Sequence, residues 1–416
     1  MLRRNLFVIV LFLIMISCIR HNYYSLGDFQ AERTKGLERQ RFRKQTISNI
    51  IEKNLLNNTG NWADSDYLGA FWAMGLMNYR SEAIDTVIAG FAGKLSCYSG
   101  DFQRAYLELI FQLYPYVFSN EVELFSQETD NPKLYAMAIH YLIRNETAKS
   151  KQAFQKALIE KFSDWEQSSI LTMLNYDLSD QPNSLPSLLD LLKHDFGNLV
   201  VVFSIQHRNR GYPGKVLIRG TDGKFIRDEQ GKLFSMPQLA RSASALPGYI
   251  TNGNSPQGIY SIEGISFSEN VFIGPSPNIV LKMPFETTPS RFFHKIFFKK
   301  KWYFELYREL LPKSWQDYQP IYESWYAGKA GRSEIIAHGS TINPEFYSNL
   351  RCYPMTPSLG CLTAHEEWSP VTGQCLASDQ IDFVNQLIQA DGLAGYLILV
   401  EIEDSNGLID IEPQID

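Results

Sequence analysis

Cysteine is scarce in this chain, five among 416 residues. That is too few for a disulfide scaffold, in which several bridges replace a hydrophobic core. Histidine is nearly as scarce, with seven. None stands in a His-Glu-x-x-His, and no two cysteines stand as Cys-x-x-Cys, so the zinc spacings are missing. His365-Glu366-Glu367 lacks the second histidine. No glycine-rich stretch ends in Gly-Lys-Ser/Thr, which removes the phosphate-cradling loop. No metal and no cofactor is implied. Positive charge is not in excess either: 39 Lys+Arg against 45 Asp+Glu give a net charge of -6. This excludes a nucleic-acid binder working by bulk charge. Intrinsic disorder is excluded by 44% hydrophobic and 20% charged residues.

Long apolar runs are also missing, with one exception at the N-terminus. Leu6 to Ile16 is unbroken apolar sequence behind Arg3 and Arg4. It is shorter than the roughly 20 residues that span a bilayer, but it suits the hydrophobic region of a signal peptide. Met15-Ile16-Ser17-Cys18 closes the run. It resembles a bacterial lipobox, which implies lipidation of Cys18 and a membrane anchor. A plain signal peptide cut near Ser17, or an uncleaved anchor, is the alternative. Ile19 and Arg20 follow the cysteine where no acidic residue stands, a pattern similar to that of outer-membrane lipoproteins facing the periplasm. Each option places the folded part outside the cytoplasm.

What remains suggests two domains, at roughly 100–200 residues each. Beyond the signal peptide and lipobox (1–18), residues 19–195 read as helix after helix. Asn131 is an expected N-cap with Pro132 at the first helical position. Leu134, Met137, Ala138, Tyr141 and Leu142 then mark one buried stripe. Thr147 is expected to cap the next helix, with Phe154, Ala157, Leu158 and Phe162 inward. Asp101 is expected to cap another, ending before Pro115. Asp64-Ser65-Asp66 reads as a helix start, and His140 as a packed or surface histidine. An irregular bundle and a HEAT-like array both fit; no repeat consensus is found. The protein partner of this half, if it has one, is not legible.

The period changes near Asn198, so residues 196–416 form a β-rich second domain. Leu199 to Ile205 and Lys215 to Ile218 read as strands, and Asp222-Gly223 as a hairpin turn. The expected fold class is therefore α+β, with an all-α domain first. Residues 284–320 form an aromatic and basic insertion, with Phe292, Phe293, Phe297, Phe298, Lys299, Lys300, Lys301 and Trp302. It reads as a lid or membrane-touching surface, or more plainly as a segment docked on the sheet with its lysines solvated.

Three stretches of the second domain carry chemistry. They are Ser255-Pro256-Gln257-Gly258-Ile259-Tyr260-Ser261-Ile262, then Ile335-Ile336-Ala337-His338-Gly339-Ser340, then Ser358-Leu359-Gly360-Cys361-Leu362. A capped helix from Ser378 to Ala390 and a closing strand from Gly395 to Ile402 follow. A thiol is mostly protonated at neutral pH, and its thiolate is the nucleophile. A nearby imidazole can take the proton and hold a thiolate–imidazolium pair. The small Gly360 permits close backbone approach, and the amides of Gly360 and Cys361 are candidates for an oxyanion site.

This order resembles the catalytic domain of L,D-transpeptidases, the YkuD family, over residues 198–405 or about half the chain. The resemblance implies Cys361 as nucleophile and His338 as base, with the carbonyl of Gly339 or Ser340 orienting the ring. It implies an acyl donor from peptidoglycan stem peptides, bound in a cleft with Ser358 and Gly360 at its substrate and oxyanion side and Tyr318, Tyr322, Trp325 and Tyr326 as candidate lid or wall residues. The product would be a 3→3 cross-link. The commoner motif has a second histidine at Leu359 and Arg or Asn at Thr363; a branch of the family has Ser-Leu-Gly-Cys. Arg351 and His365 are candidates to hold the substrate carboxylate. Hydrolysis in place of transfer (an L,D-carboxypeptidase or endopeptidase), or wall binding without catalysis, are the alternatives. With Cys361 kept free, Cys352 with Cys375 is the sequence-nearest pair for a bridge; equally, neither is bonded.

Overall fold

The computed structural model describes residues 23–57, 64–145, 148–179, 184–296 and 301–403. Cys18, Thr147, the Asp180 turn and Phe297 to Lys300 lie outside them. Among the described residues no helix is long and apolar enough to cross a membrane.

Among the described residues ten α-helices occupy the first half: α1 Gly36–Thr46, α2 Lys53–Leu56, α3 Asp64–Met77, α4 Glu82–Ala92, α5 Gly100–Leu113, α6 Ser119–Glu128, α7 Pro132–Leu142, α8 Ala148–Lys161, α9 Ser169–Leu178 and α10 Leu188–Lys193. Their starts follow local chemistry. The Asn131 side chain accepts from the Lys133 and Leu134 amides, with Pro132 just inside the helix. At α5 the cap is Ser99, not Asp101: its hydroxyl accepts from the Phe102 amide. Asp101 stands in the first turn, where its charge meets the positive end of the helix. Helix α7 is buried all round rather than along one stripe, because Tyr135, Ala136 and Ile139 make its other face apolar too. His140 is packed, its Nε2 2.6 Å from the Tyr249 hydroxyl.

The second half is built on an eight-stranded mixed sheet. Its strands are β1 Val200–His207, β2 Gly214–Arg219, β3 Ser235–Gln238, β4 Gly258–Phe267, β5 Pro277–Lys282, β6 Ile336–Gly339, β7 Leu362–Ala364 and β10 Ala394–Ile402. β8 Glu366–Trp368 and β9 Cys375–Ser378 pair separately. The order in the large sheet is β3-β2-β1-β10-β4-β5-β6-β7. β1 runs parallel to β10 and β6 parallel to β7. Leu239, just past β3, exchanges 2.8 Å backbone bonds with Thr363 of β7. The two edges therefore meet, and the sheet rolls into a nearly closed barrel. Central strand β1 is buried at every position, which is why its first half, Val200 to Phe203, is a continuous apolar run rather than an alternation.

Short helices α11 Pro289–Phe292, α12 Phe304–Arg308 and α13 Glu323–Lys329 lie between β5 and β6, and α14 Asp379–Gln389 between β9 and β10. Helix α14, capped by Ser378, touches β3, β5, β6 and β7. Its Phe383, Val384 and Leu387 share one buried cluster with Val200, Leu281, Ala337 and Leu397 of the sheet. The insertion covers the outer face, where Phe292, Tyr307 and Trp315 pack on Val201, Phe203 and Ile398.

Two features cross the expected boundary near residue 195. One buried cluster runs from Phe102 and Met137 in the helices to Tyr249 and Ile262 beside the sheet. Polar contacts reinforce that joint: the Tyr249 hydroxyl donates to Asp177 at 2.8 Å, and Asn252 to Glu108 at 3.1 Å. Residues 24–39, expected in the helical half, strap onto the strand half. The Cys375 amide donates to the Phe29 carbonyl at 3.0 Å, and Arg39 to the Ile342 carbonyl at 2.8 Å.

Candidate active site

Strands β6 and β7 place the histidine and the cysteine. Ala337 pairs with Leu362 and His338 with Thr363. Ala337 and Leu362 are fully buried in the inner cluster. Strand alternation turns Ile336, His338 and Thr363 to the opposite side. Extending the register one step sets Cys361 against Ile336, on the same side as His338. Two strand steps separate them, about 7 Å along the strand. No hydrogen bond joins Cys361 to the imidazole; Sγ lies 3.8 Å from the Glu334 carbonyl oxygen.

His338 is buried, and its Nδ1 lies 2.6 Å from the Gly339 carbonyl oxygen. A carbonyl only accepts, so Nδ1 carries the hydrogen and Nε2 is left as the base. Burial pushes the imidazole down to about 4, against the opposing pull of the Gly339 carbonyl. Gly339 is required by space: a Cβ there would stand 1.9 Å from Glu366 Oε2. Ser340 does not orient the ring. Its amide donates to the Ala364 carbonyl at 2.7 Å, and its hydroxyl accepts from the Glu366 amide at 3.1 Å.

The cysteine turn is pinned from two sides. The Ser358 hydroxyl donates to the Cys361 carbonyl at 2.8 Å and accepts from the Gly360 amide at 3.0 Å. Ser255, from the first motif, donates to the Gly360 carbonyl at 2.8 Å. The Gly360 amide is therefore occupied, contrary to its expected place in an oxyanion site. The Cys361 amide has no backbone partner among the described residues, so it is the donor left for that task. Gly360 has φ +110°, and a Cβ there would stand 2.0 Å from the Arg332 guanidinium.

Arg332 was not among the expected site residues. It is 6% exposed and meets no carboxylate among its hydrogen-bond partners. Its Nη1 donates to the carbonyls of Gly248, Ile250 (3.2 Å) and Asn254 (2.7 Å), and Nη2 to Gly253 (2.6 Å). A full positive charge thus lies under the cysteine turn. Burial pushes the Cys361 thiol up, and the Ile336 amide and the Arg332 charge only partly offset this. Burial thus favours the uncharged form of both the thiol and the imidazole. Nothing local in Gly331-Arg332-Ser333 signals this role; it depends on the loop 248–254 closing over the side chain.

The first motif is held in turn by Glu323, a buried carboxyl that accepts from the Gln257 amide at 2.9 Å. Gly258 is required where a Cβ would meet the Ser324 hydroxyl at 2.1 Å.

Four expected wall residues stand elsewhere, Tyr326 among them on the groove that Tyr318 and Tyr322 line. Trp325 is caged by Phe285, Trp302, Phe304 and Tyr307 on the outer face. Tyr318 and Tyr322 line a groove facing the helical half, and neither Cys361 nor His338 lines it. Their aromatic character placed them by burial against the sheet, not by the chemistry of the cysteine. Arg351 donates to the Tyr212 hydroxyl at 2.7 Å, and His365 lies 3.5 Å from Glu367. Cys352 and Cys375 are free and sit in separate clusters, so the bridge between them is not formed. Among the described residues no group of three His, Cys, Asp or Glu side chains could hold a metal ion.

Fold and site together define an α+β protein whose rolled mixed sheet carries a cysteine and a histidine on adjacent parallel strands. No family model, no curated protein and no solved structure matches the chain.

Proposed function

We propose that the chain is a cysteine-dependent L,D-transpeptidase of the YkuD kind, acting on peptidoglycan tetrapeptide stems. The observation that carries this reading is the shared face of β6 and β7, with His338 fixed through Nδ1 on Gly339 and Cys361 held in a turn pinned by Ser255 and Ser358. In the reaction the Sγ proton passes to His338 Nε2 as sulfur attacks the carbonyl carbon of the third, L-centred residue. The Cys361 amide faces the developing oxyanion, and the Arg332 charge stabilises the sulfur as it loses its proton. Collapse breaks the amide bond; the terminal D-residue leaves as an amine, taking the proton from the imidazolium. The remaining thioester is opened by the amine of a neighbouring stem, giving a 3→3 cross-link and restoring the thiol. Water in place of that amine makes the same site an L,D-carboxypeptidase or endopeptidase.

The protein is proposed to face the periplasm on a lipid carried by Cys18, in the outer membrane. The test is covalent capture. The full chain in mild detergent is incubated with a carbapenem and its intact mass measured beside Cys361→Ala. The expected result is an adduct on the wild type alone. A folded wild type that gains no mass overturns the catalytic reading, and wall binding without turnover takes its place. That second reading has its own support in the geometry, in which Cys361 Sγ faces the Glu334 carbonyl oxygen at 3.8 Å and makes no hydrogen bond to the imidazole.

A further inference from the structure

A groove of about 1010 Å³ lies between helices α8 and α9 and the insertion. That is the upper end of the range for small-molecule sites, ~300–1,000 Å³. The helical wall offers Gln155, Trp165 and Asn175; the facing wall offers Tyr318 and Gln319 of the insertion and Tyr326 of helix α13.

The chemistry of the walls narrows the ligand. Among the described residues no lysine lines the groove, and its arginine, Arg308, is engaged by Asp317 at 3.0 Å and Glu305 at 3.8 Å. The described lining therefore offers no free cation for a phosphate or a carboxylate polymer. Nor is it an apolar slot, since amide and hydroxyl side chains alternate with rings. Gln155 donates to Asn175 at 3.0 Å. Each amide can form further hydrogen bonds beyond that one. Flat apolar rings beside fixed planar amides suit a ligand with C–H faces and hydroxyl edges. An uncharged sugar ring has both.

We infer that this groove is a binding site for a neutral oligosaccharide chain, held between Trp165 and Tyr326 with Gln155 and Asn175 reading its hydroxyls. That the chain is the glycan backbone of the wall rests on the proposed function; the saccharide class does not. Helix α13 relates the two sites: Tyr326 lines the groove, while Glu323, three residues earlier, holds the Gln257 amide of the first motif. Glycan bound here would fix where its pendant peptides meet the enzyme.

The test is titration of the full chain in mild detergent with the hexamer of N-acetylglucosamine, followed by tryptophan fluorescence and calorimetry. Saturable binding is expected, weakened about tenfold by Asn175→Ala or Gln155→Ala through loss of one or two hydrogen bonds. Trp165→Leu should abolish the fluorescence change, and the two amide variants keep the test decisive if that variant misfolds. Glycan strands whose lactyl carboxyls are capped as amides should compete with the hexamer; a sulfated polysaccharide should not. Absence of binding at millimolar hexamer, or equal binding by all variants, overturns the inference. Binding that survives in Cys361→Ala while the carbapenem leaves the wild type unmodified would sink the transpeptidase reading and leave the groove standing.

Discussion

His338 Nδ1 lies 2.6 Å from the carbonyl oxygen of Gly339, its own neighbour in strand β6. The bond fixes the tautomer within one strand, without a carboxylate. Burial meanwhile holds the ring near 4 rather than 6.5. Carbapenem acylation should therefore stay flat from neutral pH downward and fall only near pH 4. It should rise again in alkali as the elevated thiol ionises. A rate profile that falls through pH 6.5 would show an imidazole in a different state. His338→Gln should lower the rate by about 10²–10⁴-fold, the usual worth of a general base. The same shift acts on stability. Between pH 6.5 and about 4 the unfolded chain takes the proton and the folded chain does not, so this group lowers stability as pH falls through that window.

Ser358 holds the cysteine turn with one hydroxyl that serves both Gly360 and Cys361. Ser358→Ala leaves a buried amide and a carbonyl without their partner. The expected cost is about 1–3 kcal/mol of stability, read by denaturant unfolding. Acylation should slow as well, because the Cys361 amide loses its fixed direction. Unchanged values for both would remove Ser358 from the site.

Gly360→Ala should be more damaging than any surface substitution nearby. The residue has φ +110°, and the added methyl would meet Arg332 and the Gly253 carbonyl. Left-handed strain alone costs about 1–3 kcal/mol. Arg332→Met removes the donor of four carbonyl bonds and should unfold the loop 248–254; proteolysis of that loop would report it. Arg332→Lys keeps the charge but cannot span the carbonyls, so it should fold poorly yet leave the Cys361 thiol more acidic than Arg332→Met does. Thiol alkylation against pH compares the two.

Glu323, Glu108 and Glu366 are carboxyls that burial pushes up to about 7. From pH 4.5 to about 7 the folded chain holds these protons and the unfolded chain does not. Stability should therefore fall as pH rises through that window. Thermal melts at pH 5.5 and pH 8 should show the higher midpoint in acid, where these three outweigh the opposing histidines, His338 and His194, both held down by burial. Glu323→Gln keeps an oxygen for the Gln257 amide and should flatten part of the slope. A steeper slope in that variant would contradict the assignment.

Much of the architecture is written locally. Asn131-Pro132 starts a helix, Ser378 caps another, and Asp222-Gly223 turns a hairpin in which the Gly220 amide meets the Lys224 carbonyl at 2.8 Å. Such signals need only a few neighbouring residues. Ser99 replaced Asp101 as a cap because both stand near the helix start and only backbone geometry selects between them. The site was legible in its motifs but not in its support. Arg332 and Glu323 act through segments far away in sequence, the loop 248–254 and Gln257.

The sequence by itself determined the change from a helical to a strand period near residue 198, the order of the three motifs, and the small residues that let backbone come close. These depend on side-chain period and size, which are local. Tertiary structure alone decided that β6 and β7 run side by side, so that His338 and Cys361 share a face. It decided that the helices and the barrel share one buried core, that residues 24–39 strap the strand half, and that Tyr318 and Tyr322 face a groove. Each depends on which apolar surfaces find one another, and burial has no direction along the chain.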